Sequence, residues 1–159
     1  MNGDVVLDAD KGEIRLFGKR HVAIDAQSLC EFLDSLVGTQ VGEVIMHSLE
    51  YHLGRTEAER FKEKNPQATL NDLIERFVGA DRLSGVGLTK VTMSSNPQHL
   101  VLIEIANPGT KGSTGAAKSF IFSWWAGLLS LHLGKELDVN EVWYDEQGNI
   151  ARGRLVERQ

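Results

Sequence analysis

The stretch that decides the fold is Lys118–Gly153, which reads KSFIFSWWAGLLSLHLGKELDVNEVWYDEQGNIARG. Its first half is so apolar that a helix there has almost no polar face, which predicts a helix buried inside a globular core. Its second half predicts two strands, Val139–Tyr144 and Ile150–Val156, joined by a turn over Asp145–Asn149. A membrane span is not expected, because one needs about 20 apolar residues and this shorter run is interrupted by Ser119, Ser123, Ser130 and His132.

The composition predicts one cytoplasmic domain. The chain has 159 residues, of which 42% are hydrophobic, enough for a single sizeable core. Its net charge of -5 argues against a nucleic-acid partner, because phosphate binding depends on clustered Lys and Arg. The single cysteine, Cys30, excludes an intrachain disulfide and a cysteine metal cage, and the N-terminus lacks the pattern of a signal peptide.

The segments upstream of the core helix are helical first and alternating later. We expect strands or an extended arm in residues 1–24, a helical half in residues 25–80, and two hairpins around the buried helix in residues 86–158. The helical half divides into a helix from the N-cap Asp25 to Gly38, a helix from Thr39 to Gly54, a charged helical turn over Glu57–Lys64, and a helix Leu70–Val78 that begins with a capping box of Thr69 and Asp72.

Two strands, Val86–Met93 and Leu100–Ile105, are expected to pair across a turn over Ser94–Gln98, which contains Asn96-Pro97. Helices followed by two hairpins on either side of one buried helix predict an α+β fold, in which helices cover an antiparallel sheet.

Two segments resemble functional motifs, but we expect neither to bind a phosphate group or a metal ion. Gly112–Ser119 nearly matches a phosphate-binding loop, but Ala117 occupies the position of the second glycine, where a Cβ obstructs the approach to phosphate. His47 and His52 are five residues apart, so on a helix they diverge by roughly 140° and cannot chelate one metal ion. No nucleophile motif surrounds Cys30, and we expect no catalytic residues.

The predicted core helix has a stripe of small residues beside an aromatic one. The small residues are Ser123, Gly127, Ser130 and Gly134, at intervals of four, three and four. Such a stripe allows another backbone to approach closely, either the sheet of the same chain or a second subunit in a homodimer. The aromatic stripe, which includes Trp124 and Trp125 beside Phe122, is typical of a core and is also suited to the wall of an apolar ligand cavity.

The chain resembles the 4-vinyl-reductase domain family, which also supplies the N-terminal sensor domains of regulators that respond to aromatic hydrocarbons. The resemblance rests on AGLLSLHLGKELDVNEVWYDEQGNIARGRLVE and on the opening GEIRLFGKRHVAID with SLCEFLDSLVGTQVGEVIMHSLEYHLGRTEAERF, and it spans about Gly12 to Val156. It implies a fold like that of small TRAPP subunits and haem-based nitric-oxide sensors, and a homodimer.

The resemblance also shows where this chain departs from its relatives. Many family members carry a zinc site with a Glu followed by two Cys; here Glu141 matches the Glu, but Tyr144 and Arg152 stand at the cysteine positions. Tyrosine and arginine cannot replace thiolate ligands, so we expect neither zinc nor another cofactor. We expect instead that Arg152 contacts Tyr144 or Glu141 and holds the hairpin without a metal.

These observations favour a small-molecule sensory domain that acts through a separate effector protein. We expect an apolar or aromatic ligand in a cavity between the helices, the sheet and the core helix, with walls from Ile45, Leu49, Phe77, Met93, Ile103, Trp124, Trp125 and Leu128. One alternative is a ligand-free assembly module like the TRAPP subunits, which would lack a cavity of roughly 300 Å³ or more. A second, based only on the family's name, is an accessory factor in tetrapyrrole metabolism.

Overall fold

The computed structural model describes residues 5–8, 10–11, 13–16, 19–21, 28, 31–32, 35, 40–94, 100–109 and 116–159. The predicted helix beginning at Asp25 is represented only by residues 28, 31, 32 and 35, all of which are helical. Most of the turn over Ser94–Gln98 and the glycine-rich part of Gly112–Ser119 lie outside the described residues. The N-terminal strands are β1 (Val5–Asp8), β2 (Glu13–Leu16) and β3 (Lys19–His21), which form an antiparallel sheet in that order.

The main sheet has four antiparallel strands in the order β4-β5-β7-β6. The strands are β4 (Leu88–Met93), β5 (Val101–Ala106), β6 (Leu137–Tyr144) and β7 (Ile150–Glu157). The two central strands alternate strictly between buried and partly exposed residues, as expected when one sheet face is covered. The covered face carries Val101, Ile103 and Ile105 from β5, all fully buried.

The helix α3 (Ala116–Leu133) lies on that face and supplies the largest buried side chains of the core, Trp125 and Phe122. Its contact with β7 is close, because a Cβ on Gly153 would come within 2.3 Å of the Phe122 ring. A glycine at this point of the strand therefore admits the aromatic ring. The predicted burial of the core helix is confirmed, and the α+β fold with an antiparallel sheet is confirmed as well.

The helix α1 (Gln40–Lys64) is a single element of 25 residues. The prediction that a helix ends at Gly54 and that Glu57–Lys64 is a separate turn was wrong. Gly54 lies inside the helix at its closest approach to α3, where a Cβ would come 1.9 Å from the Trp124 carbonyl oxygen. Glycine weakens a helix by roughly 1 kcal/mol relative to alanine, and here it removes a steric clash.

Two of the small residues, Ser123 and Gly127, face α1, a neighbour that neither of the expected alternatives, the chain's own sheet or a second subunit, included. A Cβ on Gly127 would lie 1.9 Å from the Tyr51 carbonyl oxygen, and the Ser123 hydroxyl is 2.8 Å from His47 Nδ1. Ser130 donates to the Ala126 carbonyl and accepts from the Leu137 amide, which joins the helix to β6. Gly134 ends the helical segment with a φ of 63°.

The helix α2 (Leu70–Ser84) begins as its sequence predicts. The Thr69 hydroxyl accepts from the Asp72 amide at 3.2 Å, and the Asp72 carboxylate accepts from the Thr69 amide at 2.7 Å. The predicted end at Val78 was too early, because the helix passes through Gly79 and ends at Gly85, whose φ is 81°. The extra turn carries Asp81 to the edge of the core.

We expect Gly127→Ala to destabilise the fold by about 1–3 kcal/mol, the usual range for overpacking a tightly packed site. The added methyl group would meet the Tyr51 carbonyl and force α1 and α3 apart. Urea unfolding followed by circular dichroism measures this change. The matched control is Gly79→Ala, since a Cβ at Gly79 has no neighbour within 4 Å; it is expected to raise stability by up to about 1 kcal/mol. Equal stabilities of the two variants would contradict the close crossing.

Candidate functional site

A cavity of about 700 Å³ opens between α1, α2 and the first turns of α3. Its size is typical of a small-molecule site. The apolar part of its wall consists of Leu53, Phe61, Phe77, Ala80, Val86, Phe120, Ile121 and Trp124. The polar part consists of Glu50, Glu57, Arg60, Lys64, Asn65, Arg76, Asp81 and Ser84.

Aromatic rings form a continuous edge-to-face series from the cavity wall into the core. Phe61 and Phe77 have ring centroids 6.0 Å apart, and Phe77 and Trp124 have centroids 5.4 Å apart. Trp124 meets Trp125 at 5.5 Å with an interplanar angle of 89°. These are favourable arrangements for aromatic quadrupoles, so the rings are held in fixed orientations. The cavity therefore presents a defined aromatic surface.

Glu50 is the carboxyl group most unusual for its surroundings. The residue is 4% exposed and lines the cavity, and among the described residues its side chain has no hydrogen-bond partner. Burial disfavours the charged form and raises the pKa of Glu50 to about 8. At neutral pH the carboxyl group is therefore mostly protonated and can donate a hydrogen bond. Once ionised, it can only accept hydrogen bonds.

Asp81 is the second buried acid of the cavity, and it also organises the core. Its Oδ2 accepts a hydrogen bond from the Thr89 hydroxyl at 2.6 Å and another from Trp125 Nε1 at 2.9 Å. Burial raises the pKa of Asp81 to about 6, although both hydrogen bonds act in the opposite direction. The carboxylate thus connects α2, β4 and α3 at the inner end of the aromatic series.

The eight residues expected to line one cavity are divided by the structure into three groups. Phe77 and Trp124 line the observed cavity together. Ile103, Trp125 and Leu128 are fully buried in the core, where they are covered by other side chains. The remaining three are exposed: Ile45 by 57%, Leu49 by 46% and Met93 by 44%.

The reason for this division is the orientation of α1. Its apolar residues Ile45 and Leu49 point away from α3, whereas the inward face carries Glu50, Gly54 and Ala58. Sequence reasoning assumed that the more apolar side faces the core, and so it missed the glutamate. A signal was present in the sequence, because a small residue recurs at Gly54 and Ala58, at the spacing of a closely packed helix face.

The expected contact of Arg152 with Tyr144 or Glu141 is corrected by the strand register. Arg152 lies opposite Trp143 on β6 and bonds instead to Glu104 of β5, with Nε 2.8 Å from Oε2. Arg154 takes the predicted role: its Nη1 lies 2.7 Å from Glu141 Oε2 and its guanidinium lies 4.8 Å from the Trp143 ring centroid. A register shift between Val139 and Glu141 brings these partners together.

His47 belongs to a polar cluster away from the cavity. Its Nδ1 lies 2.8 Å from Ser123 Oγ, and its Nε2 lies 3.0 Å from Asp138 Oδ1. The order resembles a Ser-His-Asp triad, but Ser123 is fully buried between helices and cannot reach a substrate. His52 is exposed and apart from this cluster. Across the described ranges, no group of three or more His, Cys, Asp and Glu side chains is placed to hold a metal ion.

Comparison with known proteins identifies the fold and no family. No family model and no curated protein matches the chain, so the resemblance to 4-vinyl-reductase domains stays a prediction. A crystal structure of the phenol-responsive sensory domain of the transcription activator PoxR with phenol is similar, with a TM-score of 0.70 and 14% sequence identity. The match covers 97% of this chain and 85% of the sensory domain. None of the described helices has the length and apolarity needed to cross a bilayer.

We expect Glu50→Gln to stabilise the protein at alkaline pH. Below pH 4.5, the ordinary pKa of the group, the Glu50 carboxyl is protonated in both the folded and the unfolded chain. Between pH 4.5 and about 8 it ionises in the unfolded chain but stays protonated in the folded one. The free energy of unfolding of the wild type therefore falls as the pH rises through this range. Glutamine cannot ionise, so the variant does not lose this stability. Above pH 8 we expect its free energy of unfolding to exceed that of the wild type by on the order of 1 kcal/mol, which would raise Tm by roughly 2–4 °C.

Thermal unfolding measured by calorimetry across this pH range tests the prediction. The control is Glu63→Gln, which changes an exposed carboxylate of the same helix and should leave the pH profile unaltered. A wild-type profile that parallels the Glu50→Gln profile at every pH would show that Glu50 is not a buried acid.

Proposed function

We propose that the chain is a cytoplasmic sensory domain that binds a small aromatic ligand in the cavity between α1 and α2 and acts through a separate effector protein. The observation that carries the proposal is the cavity itself, about 700 Å³ in volume and walled by Phe61, Phe77 and Trp124. A ligand-free assembly module would have filled this space with side chains, since a dry void forfeits packing contacts.

The similar structure supports this proposal in combination with the cavity. The sensory domain of PoxR was crystallised with phenol, and its fold covers nearly the whole of this chain. A ligand of that size fits easily into the cavity. Because function depends on the site and not on the fold, this likeness supports the class of ligand only together with the aromatic wall described above.

Ligand binding would act on the relative position of α2. The crossing of α1 and α3 is fixed by Gly54 and Gly127, which leave no space for adjustment. The helix α2 contributes Phe77 and Asp81 to the cavity and meets the sheet through Thr89. A ligand between these elements favours conformations with the cavity open, and a partner protein that recognises those conformations would respond to the ligand.

The outward face of α1 supports the homodimer that belongs to this proposal. Val44, Ile45 and Leu49 are 65%, 57% and 46% exposed, and none of the three lines the cavity. Side chains of this kind are normally covered in homodimer interfaces, which are more apolar than the rest of the surface. The stripe of Ser123, Gly127 and Ser130 is buried inside the chain and is not available for this contact.

We expect phenol to raise the Tm of the wild-type protein and to leave Ala80→Phe unchanged. Ala80 lines the cavity, and a phenyl group there occupies the ligand's space without altering charge. Saturation at about 100 times Kd corresponds to roughly 2.7 kcal/mol of stabilisation. Calorimetric melting with and without phenol measures it.

The control for this experiment is Leu83→Phe, which adds a similar ring to the same helix at an exposed position outside the cavity. It should respond to phenol as the wild type does. Circular dichroism confirms that both variants are folded. An Ala80→Phe protein that is folded and still stabilised by phenol would place the ligand elsewhere or refute the proposed site.

We expect Ile45→Glu to convert a homodimer into a monomer, because a charge at a central apolar contact is costly to bury. Native mass spectrometry reports the subunit number together with any retained ligand. The control is Thr92→Glu, an exposed position on β4 that should preserve the dimer. A monomeric wild-type protein would contradict the dimer and leave ligand binding to be judged by the melting experiment.

A further inference from the structure

The cavity combines two features that recognise a cation. Its aromatic surface includes Phe77 and Trp124 with ring centroids 5.4 Å apart, and aromatic faces attract ammonium groups. Beside it lies the Glu50 carboxyl, 4% exposed and without a hydrogen-bond partner among the described residues. A largely buried carboxyl without a partner in this part of the chain is costly to ionise unless a ligand group pairs with it.

We propose that this cavity selects aromatic ligands that carry an ammonium group, and that the Glu50 carboxylate receives that group. The inference rests on the proposed function and specifies its ligand class: an aromatic body against Trp124 and Phe77, and a positive nitrogen at Glu50. The ammonium N–H donates to the carboxylate, forming a charge-assisted hydrogen bond.

Among the charged groups of the cavity, Glu50 is best placed to pair with an ammonium group. Asp81 is already engaged, since its Oδ2 accepts from Thr89 and Trp125. From α1, Glu57 and Arg60 are paired with each other at 3.2 Å. The remaining ionisable wall residues are Lys64 of α1 and Arg76 of α2, both positive, while the α3 wall residues are all apolar or aromatic.

Binding of such a ligand has a proton signature. At neutral pH Glu50 holds a proton, because burial raises its pKa to about 8. An incoming ammonium cation pairs only with the ionised carboxylate, so the proton leaves for solvent as the ligand binds. Affinity for the cation therefore rises with pH up to about 8, by about tenfold per pH unit well below that value.

The test is isothermal titration of the full chain at neutral pH with 2-phenylethylamine and with 2-phenylethanol, its neutral analogue. We expect the amine to bind at least about tenfold more tightly, as hydrogen bonds to charged groups commonly contribute that much. Titrations in buffers of different ionisation enthalpy should show release of about one proton per amine bound and none for the alcohol.

The matched variant is Glu50→Gln, which keeps the size and removes the charge. It should lose the preference for the amine over the alcohol and release no proton on binding either ligand. If both proteins bind the two ligands equally without proton release, the selection by Glu50 is refuted while the aromatic cavity stands. If neither ligand binds and phenol does not raise Tm either, the selection and the proposed function both fail.

Discussion

The rest of the structure depends on the close crossing of α1 and α3. Two glycines make it possible, each meeting a backbone carbonyl of the other helix: Gly54 meets Trp124 and Gly127 meets Tyr51. Beside the crossing, the Trp124 ring meets Phe77 of α2, and the inward face of α1 places Glu50 on the same cavity. The cavity exists because α2 does not fill the space beside this crossing.

The two buried acids of the cavity have different surroundings and therefore different capacities. Asp81 is tied into the core by Thr89 and Trp125, and its pKa of about 6 leaves it ionised at neutral pH. Glu50 lacks such donors among the described residues, and burial alone raises its pKa to about 8. One carboxylate thus stabilises the wall, while the other holds a proton at neutral pH and, in our proposal, releases it when a ligand binds.

Local signals in the sequence were sufficient for elements whose causes are local. The capping box of Thr69 and Asp72, the apolar core helix and the two strands of the last hairpin were all predicted and observed. The role of Gly54 was predicted wrongly because glycine can either end a helix or permit close packing, and the position of the partner helix decides between the two. The site was predicted less well. Ile45 and Leu49 were expected in the cavity wall but are exposed, and Glu50, which follows Leu49 in the sequence, looked like an ordinary surface acid but is buried. In the hairpin, the register places Arg154, and not Arg152, beside Glu141.

The chain's three tryptophans lie in three distinct environments. Trp124 lines the cavity, Trp125 is fully buried and bonded to Asp81, and Trp143 lies under the Arg154 guanidinium on the sheet. Trp124 and Trp125 have ring centroids 5.5 Å apart, yet of these two only Trp124 lines the cavity. A ligand in the cavity would change the surroundings of one indole directly and leave the buried indole beside it as an internal reference, so the intrinsic fluorescence of the protein can report on the cavity.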